Sequence, residues 1–332
     1  MSLVDVLIVG GGPSGLSAAL TLVRQKHSVL LFDTSECRAA PSYLLHGHSG
    51  SDNQSPADYL KHARGELEAY SSFALSSVNI TGLAKINGGF QATDETGTKY
   101  MGKKVILASG VVSIFPIIRG YVDCWGKGIN HQVQVTDPIR TNFHNLFAQA
   151  YQEDTSKVHA GVLAVDWIAM PQFTFYLSHM ATQVANSVTI YTHGNEELAA
   201  TLAPTLEGKP WKTDTRKIAK LALKSSGDTA VEITFEDGST ATEAFIGHSP
   251  MATVRGPFAE QLGLKLSQTG GEYEVFGPFN RTSVKGVFAA GDAVTMFKVW
   301  PNAVASGAQT ASGVAINLQE EKWNLPPIFP SE

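Results

Sequence analysis

Short apolar runs alternate with longer amphipathic segments along the first part of the chain. Leu3–Val9 (LVDVLIV) is short, β-branched and followed directly by glycine, which predicts a buried parallel strand. Pro13–Lys26 carries apolar residues at helical spacing on one face, which predicts a helix. Ser28–Phe32 predicts a second strand, so the first thirty residues or so form a βαβ unit.

The same alternation continues and then starts again in the middle of the chain. The other predicted elements are a helix at 56–70, strands at 78–86, 89–93 and 99–108, a second α/β unit with strand 158–165, helix 171–185 and strand 187–192, a hairpin at 231–235 and 242–246, a strand at 286–290 and a helix at 303–319. Glycines and Pro116 crowd residues 109–128, where we expect a crossing between domains. A chain of 332 residues suits two such domains.

Composition narrows the class of protein. Hydrophobic residues make up 43% and charged residues 17%, the composition of a globular protein, and the net charge of −5 offers no basic footprint for nucleic acid or anionic membranes. The N-terminal residues lack a secretory signal, and no apolar run approaches the ~20 residues of a membrane helix, so we expect a cytoplasmic enzyme. The only cysteines, Cys37 and Cys124, cannot form a C-x-x-C redox or zinc motif, and no metal site is expected.

The first chemical motif is a glycine-rich turn between the first strand and the first helix. Residues 10–15 read Gly-Gly-Gly-Pro-Ser-Gly, which fits G-x-G-x-x-G. Gly10 permits the tight turn, Gly12 lets a pyrophosphate approach the backbone, and Gly15 allows helix and strand to pack closely. Asp33 ends the second strand, where an acid binds ribose hydroxyls. We therefore predict a dinucleotide site, with the phosphates at the helix N-terminus.

Two distant segments distinguish FAD from NAD. Residues 105–110 (VILASG) are similar to the strand and Ala-Thr-Gly motif of flavoproteins that bind two dinucleotides, and residues 286–292 (GVFAAGD) match their C-terminal motif. In those flavoproteins the final Asp, here Asp292, binds the ribityl chain. The predicted cofactor is FAD, and the predicted FAD-binding residues are Gly10, Gly12, Pro13, Ser14, Gly15, Asp33, Ser109, Gly110, Gly291, Asp292, Asn302 and Ala303.

Together these motifs resemble the thioredoxin reductase family, the class II pyridine nucleotide-disulphide oxidoreductases, over nearly the whole chain. The resemblance is strongest to fungal dithiol oxidases of the gliotoxin type, through segments 120–128, 188–194 and 301–304. It implies an α/β fold with two Rossmann-like, three-layer ββα domains: a split FAD domain of residues 1–117 and 247–332, around an inserted NAD(P)H-type domain of residues 118–246. It also implies a homodimer.

The sequence departs from that family at its redox centre. The motif His-Cys-x-x-Cys-His should follow Asn130, but the chain has His131-Gln132-Val133-Gln134-Val135-Thr136. Gln132 and Val135 therefore stand where the cysteines belong, and neither can form a thiolate. Thiol–disulfide exchange is not expected.

A second departure lies in the inserted domain. The turn after strand 158–165 should carry another glycine-rich motif, but it contains Asp166 and Trp167, which would repel and crowd a pyrophosphate. The loop after strand 187–192 reads His-Gly-Asn-Glu-Glu, with no arginine for the 2′-phosphate of NADPH. The inserted domain is therefore a degenerate nucleotide module, and tight NADPH binding is not expected.

These departures indicate an FAD-dependent oxidase or dehydrogenase that takes a hydride directly from a small molecule, a fungal secondary-metabolite intermediate, and passes electrons to O₂. His131 is the preferred catalytic base, and Asp137 and His144 are the next candidates. Gln132 is expected to line the same pocket. His46, His48, Lys298 and Trp300 are further candidates near the flavin.

Three alternatives remain open from the sequence. The chain could be an NAD(P)H-dependent reductase with an unusual nicotinamide site. It could be a non-redox enzyme that retains FAD as a scaffold for a cyclisation or elimination. It could also be a catalytically silent flavoprotein that acts as the partner of another enzyme.

Overall fold

A computed structural model describes residues 3–38, 44–45, 47–130, 158–225 and 229–328. In chain order its strands are β1 (Val4–Val9), β2 (Val29–Phe32), β3 (Phe73–Ser76), β4 (Ile80–Ile86), β5 (Gly89–Asp94), β6 (Lys99–Leu107), β7 (Val111–Ile114), β8 (Ile129–Asn130), β9 (His159–Leu163), β10 (Ser187–Tyr191), β11 (Trp211–Asp214), β12 (Ile218–Leu223), β13 (Val231–Phe235), β14 (Thr240–Glu243), β15 (Phe245–Gly247), β16 (Met251–Val254), β17 (Val275–Phe276), β18 (Arg281–Thr282) and β19 (Val287–Ala289). Its helices are α1 (Pro13–Arg24), α2 (Pro56–Leu67), α3 (Tyr121–Cys124), α4 (Pro171–Thr182), α5 (Glu196–Leu206), α6 (Phe258–Leu262) and α7 (Trp300–Trp323).

The described residues divide into two compact units. The first is drawn from residues 1–40, 47–112 and 252–332, and the second mainly from residues 113–251. The first unit is therefore split in sequence around the second. The assignment of the first unit to FAD and of the second to a nicotinamide-type module stays a prediction.

The first unit is built on a sheet with the order β17-β18-β19-β6-β1-β2-β3, and β4 and β5 extend it through β6. The central strand β1 pairs in parallel with both neighbours, so that Ile8 lies opposite Leu31 on one side and Ile106 on the other. Strand β19 then pairs in parallel with β6. The carboxyl ends of β1, β6 and β19 consequently meet at one edge, although they are far apart in sequence.

Side chains of β1 alternate between two cores, as the two-residue period of a strand requires. Val6 and Ile8 pack with helices α1, α2 and α7 on one face. Leu7 and Val9 pack on the other face against the antiparallel strands and α6. A helical layer, a parallel sheet and an antiparallel layer therefore cover one another.

The second unit repeats this plan. Its five-stranded sheet has the order β11-β10-β9-β15-β8, and every pairing in it is parallel. Val162 and Val188 face α4 and α5. Leu163 and Tyr191 face the antiparallel meander β12-β13-β14. Strand β9 lies between β10 and β15, so the strand order reverses beside it, and α/β proteins bind ligands at such a point.

The predicted α/β class with two Rossmann-like layered units is confirmed. Several elements extend differently from the predictions: α7 begins at Trp300 rather than Ala303, because Pro301 fits the first helical turn. Strand β3 was not predicted, since its apolar residues show no regular burial and Leu75 is exposed.

Candidate active site

The glycine-rich turn connects β1 to α1 in the geometry that the motif predicts. Gly10 has φ +113°, and a Cβ added there would lie 2.3 Å from the Ala108 carbonyl oxygen. A Cβ added to Gly15 would lie 1.9 Å from the Gly10 oxygen, so both positions exclude a side chain. Gly12 is the N-cap of α1, receives no side-chain cap, and has open space around its missing Cβ, while Pro13 occupies the first turn. The open helix end could hold a pyrophosphate.

Asp33 lies directly beside this turn. A Cβ added to Gly11 would lie 2.2 Å from the Asp33 carboxyl carbon. One carboxylate oxygen accepts a hydrogen bond from the Ser35 amide at 2.8 Å, and the other accepts one from the Arg64 guanidinium at 2.5 Å. A carboxylate has further lone pairs, so Asp33 could still accept hydrogen bonds from ribose hydroxyls. Arg64 was missed from the sequence, because nothing in helix α2 marks it as a partner of Asp33.

The C-terminal motif reaches the same turn through helix packing. Gly291 has φ +75°, and a Cβ there would lie 2.5 Å from the Ser14 hydroxyl oxygen. The Gly291 amide donates to the Ser306 hydroxyl of α7 at 3.0 Å. These contacts fix Asp292 close to the glycine-rich turn. Its carboxylate accepts two hydrogen bonds from Arg38, at 2.9 and 2.7 Å, another partner that the sequence did not indicate.

The other predicted FAD-binding residues surround this edge. Ser109 follows β6 and donates from its hydroxyl to the Arg255 carbonyl at 3.1 Å, and Gly110 has φ +69°. Asn302 donates from its side-chain amide to the Phe297 carbonyl at 3.0 Å. Ala303 is buried and lies 4.0 Å from the Cβ position of Gly291. The structure brings the predicted residues of this group together. The glycine-rich turn of residues 10–15, called the glycine cradle below, fits a dinucleotide.

The predicted catalytic residues cannot be placed in this way. His131, Gln132, Val135, Asp137 and His144 lie outside the described residues. His46 lies outside them as well. Their roles stay predictions.

Three further predicted candidates, His48, Lys298 and Trp300, are among the described residues. His48 packs edge-on against Tyr59, which in turn packs edge-on against Trp300. Lys298 pairs with Glu272 at 2.5 Å, and both side chains are more than nine-tenths buried. Lys298 is therefore committed to an internal ion pair rather than to a solvated surface position.

Both cysteines are thiols that form no disulfide. Burial raises the pKa of the Cys124 thiol, and the neighbouring Asp123 carboxylate adds to that effect. Because the thiolate is the reactive form, Cys124 is a poor nucleophile.

In the second unit, Trp167 occupies the edge at which the strand order reverses. It follows β9, and its indole donates to the carbonyl of Ser249, which follows the adjacent strand β15, at 2.6 Å. The indole also packs edge-on against Phe173 of α4, with 4.4 Å between the two ring centroids. Asp166 beside it has φ +51°. A nucleotide would use this crevice in an open α/β sheet, and here a side chain bridges its two sides.

Two side chains of the loop after β10 accept hydrogen bonds from backbone amides. The His193 ring nitrogen accepts from the Ile218 amide at 3.0 Å. Asn195 caps α5 by accepting from the Leu198 amide at 2.9 Å, and Glu196 and Glu197 fill the first turn. Carboxylates at a helix N-terminus compete with a phosphate for the same positive end. This loop is therefore unsuited to a 2′-phosphate.

Within the described ranges there is neither a metal site nor a membrane-spanning helix. No group of histidine, cysteine and acidic side chains there is arranged to hold a metal ion. No helix in the same part of the chain is both long and apolar enough to cross a membrane.

The fold and glycine cradle define a flavoprotein of the class with two dinucleotide-binding folds, and comparison with known proteins identifies the family. Residues 4–170 match the family model described as pyridine nucleotide-disulphide oxidoreductase. The chain is 37% identical to thioredoxin reductase aclD of Aspergillus oryzae, over 95% of this chain and 96% of that protein. It is 35% identical to thioredoxin reductase tcpT of Claviceps purpurea, over 99% and 98% of the two chains.

Solved structures agree on the fold. An oxidoreductase from Agrobacterium tumefaciens superposes with a TM-score of 0.78 at 23% identity, covering 97% of this chain and 99% of that one. Thioredoxin reductase from Streptococcus pyogenes gives a TM-score of 0.75 at 18% identity, covering 96% and 99%. The chain belongs to the pyridine nucleotide-disulphide oxidoreductase family, and it is an FAD-dependent oxidoreductase.

Proposed function

We propose that this flavoprotein oxidises a small organic metabolite directly, without a dithiol relay, and returns the electrons to O₂. The observation that carries the proposal is the cysteine content. The whole chain has two cysteines, and Gln132 and Val135 occupy the positions of the family's redox pair. Cys124 is fully buried with a raised pKa, which argues against its acting as a substitute.

The second unit supports direct entry of electrons from a metabolite. A nicotinamide coenzyme would need the crevice at the carboxyl ends of β9 and β15, and Trp167 bridges that crevice to Ser249. The capped, acidic N-terminus of α5 adds repulsion at the position of a coenzyme phosphate. Both features favour a substrate other than NADPH.

The proposed chemistry divides between cofactor and protein. When bound, FAD would accept the hydride from a C–H bond and would pass the electron pair to O₂. The O₂ would thereby be reduced to H₂O₂. His131 accepts the proton from the adjoining N–H or O–H bond, since an imidazole is effective as a base near neutral pH. Asp137 is the next candidate for this base, and Gln132 lines the same pocket. The substrate class is a fungal secondary-metabolite intermediate, and the enzyme is a cytoplasmic homodimer.

Anaerobic reduction of the holoenzyme tests this proposal. NADPH and dithiothreitol should each leave the flavin absorbance unchanged for minutes, whereas dithionite should bleach it completely. Admission of air should then restore the colour and produce one H₂O₂ per flavin. Rapid bleaching by NADPH would instead establish a nicotinamide-dependent reductase.

The substrate arm uses candidate pathway intermediates with wild-type protein and His131→Gln. Bleaching that slows at least about 100-fold in the variant supports His131 as the base. His179→Gln is the matched control, because His179 is exposed on α4. Product formation without bleaching would show non-redox catalysis and contradict the proposal.

A further inference from the structure

Arg64 is the cation that pairs with Asp33, although it belongs to no dinucleotide-binding motif of the chain. Its Nη2 donates to Asp33 Oδ2 at 2.5 Å, and the two side chains are 26% and 9% exposed. Among the described residues it is the only ion-pair partner of Asp33. Because Asp33 follows β2 and Arg64 lies in α2, the pair joins the predicted ribose acid to a helix outside the motif.

The position of Arg64 on α2 is unusual for a charged residue. Leu60 lies four residues before it and Leu67 three residues after it, so the three share one face of the helix. Both leucines are buried in the core that α2 forms with α1. Charged side chains are rarely kept on such a face without a partner, and an apolar residue would continue the stripe. This placement favours a function for the cation.

Stability alone does not explain the arginine. Arg64 Nε is buried and donates to no acceptor among the described residues. Burial of an unpaired N–H is destabilising, and well-packed apolar side chains are often at least as stable as a buried ion pair in the same place. The reason for the ion pair is therefore to be sought in what it does to Asp33.

Asp33 receives one donor on each carboxylate oxygen. Oδ1 accepts from the Ser35 amide at 2.8 Å, and Oδ2 accepts from Arg64. The carboxyl carbon lies 2.2 Å from the position of a Cβ added to Gly11, so the group is held against the glycine cradle. Each ionised oxygen keeps a lone pair for a further donor, and the two hydroxyls of a ribose are such donors. Arg64 thus fixes the orientation of the carboxylate.

The charge of Arg64 acts in the same direction as its hydrogen bond. A dinucleotide brings a negatively charged pyrophosphate to the N-terminus of α1, and the Asp33 carboxylate lies beside the same turn. Like charges repel each other more strongly where water is partly excluded. The guanidinium offsets this repulsion and leaves the carboxylate ionised, so that it can still accept hydrogen bonds.

We propose that Arg64 is a positioning residue of the cofactor site, which holds Asp33 for the two hydroxyls of the adenosine ribose of FAD. It acts through Asp33 and does not touch the cofactor. The inference rests on FAD as the cofactor and on Asp33 as the acid that binds its ribose. It does not depend on the proposed oxidation, so either can fail without the other.

Reconstitution of the full-length apoprotein tests the proposal with two cofactors: FAD and an FAD analogue whose adenosine ribose lacks both hydroxyls. Quenching of flavin fluorescence gives the two dissociation constants, and their ratio is the quantity compared. Wild type should prefer FAD at least about tenfold, since the analogue lacks both hydrogen bonds to an ionised carboxylate. Equal affinities in the wild type would overturn the proposal.

Arg64→Met keeps a long side chain on the core-facing stripe and removes the cation. It should bind FAD about tenfold more weakly and should prefer FAD over the analogue by less than about threefold. Lys61→Met is the matched control, because Lys61 is exposed on the same helix and its loss should leave the ratio unchanged. If Arg64 only stabilises the fold, both affinities fall together and the ratio stays at its wild-type value, which would overturn the proposal.

Two further variants separate action through Asp33 from other roles. In Asp33→Asn, addition of Arg64→Met should weaken FAD binding by no more than about twofold, because the carboxylate is already absent. A further tenfold loss would show that Arg64 contacts FAD itself and would contradict the proposal. Arg64→Gln replaces Arg64→Met if thermal unfolding shows that the methionine variant is not folded. Its ratio should also lie below that of wild type, and an unchanged ratio would contradict the proposal.

Discussion

Replacement of Trp167 by alanine should lower the stability of the second unit at the sheet edge where Trp167 lies. Trp-to-Ala changes at fully buried positions cost about 3–5 kcal/mol, but Trp167 is only half-buried. Its indole hydrogen bond to Ser249 contributes about 1 kcal/mol, its edge-on contact with Phe173 about 0.5–1.5 kcal/mol, and lost burial the rest. We therefore expect Trp167→Ala to lower the free energy of opening of the second unit by about 2–3 kcal/mol.

Native-state hydrogen exchange measures this loss locally. Amides of β9 and β15 should exchange about 30- to 150-fold faster in Trp167→Ala, if their protection arises from opening of the second unit. Amides of β1 and β6 in the first unit should be unchanged. Trp323→Ala is the matched control, since Trp323 is 63% exposed at the end of α7 and should change protection by less than about twofold. Unchanged exchange rates in Trp167→Ala would show that the indole does not stabilise strands β9 and β15.

Three further changes test other parts of the structure. Gly15→Ala should abolish FAD retention on gel filtration, because its Cβ would meet the Gly10 oxygen, whereas Gly65→Ala in α2 has open space and should retain FAD; retention by both would contradict the geometry. Burial would raise the pKa of Glu272, but the hydrogen bond and charge of Lys298 outweigh it and lower that pKa. Glu272→Gln should therefore cost about 3–5 kcal/mol in urea unfolding at neutral pH, and the difference should shrink as the pH falls below about 4.3; a constant difference would refute the ion pair. Native Cys124 should resist iodoacetamide until the protein unfolds, and rapid alkylation would contradict its burial.

The first unit was predictable because its signals are local. A strand, a glycine-rich turn and a helix follow one another within about thirty residues, and each glycine has its own steric reason at Gly10 and Gly15. The motif at Gly291 and Asp292 was also identified from the sequence. Its closeness to Ser14 depends on the pairing of β19 with β6, which the family resemblance implied and no local pattern showed.

The contacts of the two arginines of the site could not be predicted from local sequence patterns. Arg38 meets Asp292 across 254 positions of the chain, and Arg64 meets Asp33 across 31. Arg38 follows β2 in an irregular loop, and no turn or period specifies where a long flexible side chain ends. In the second unit, Trp167 was predicted to crowd a nucleotide, but its bond to Ser249 required knowledge that β15 lies beside β9.

The burial of Glu243 illustrates a different limit. A glutamate at the end of a polar hairpin strand is normally solvated, and the sequence gives no reason to expect otherwise. Its burial follows from the meander packing over Tyr191 and Gly161, which are 52 and 82 positions away.

Reductive titration of the anaerobic holoenzyme tests most directly whether the flavin works without a sulfur partner. Dithionite should be consumed at about two electrons per FAD, because the flavin is the sole acceptor. Cys37→Ser combined with Cys124→Ser should give the same stoichiometry. Uptake of about four electrons per FAD in the wild type, falling to two in the double variant, would demonstrate a redox-active disulfide and contradict direct transfer.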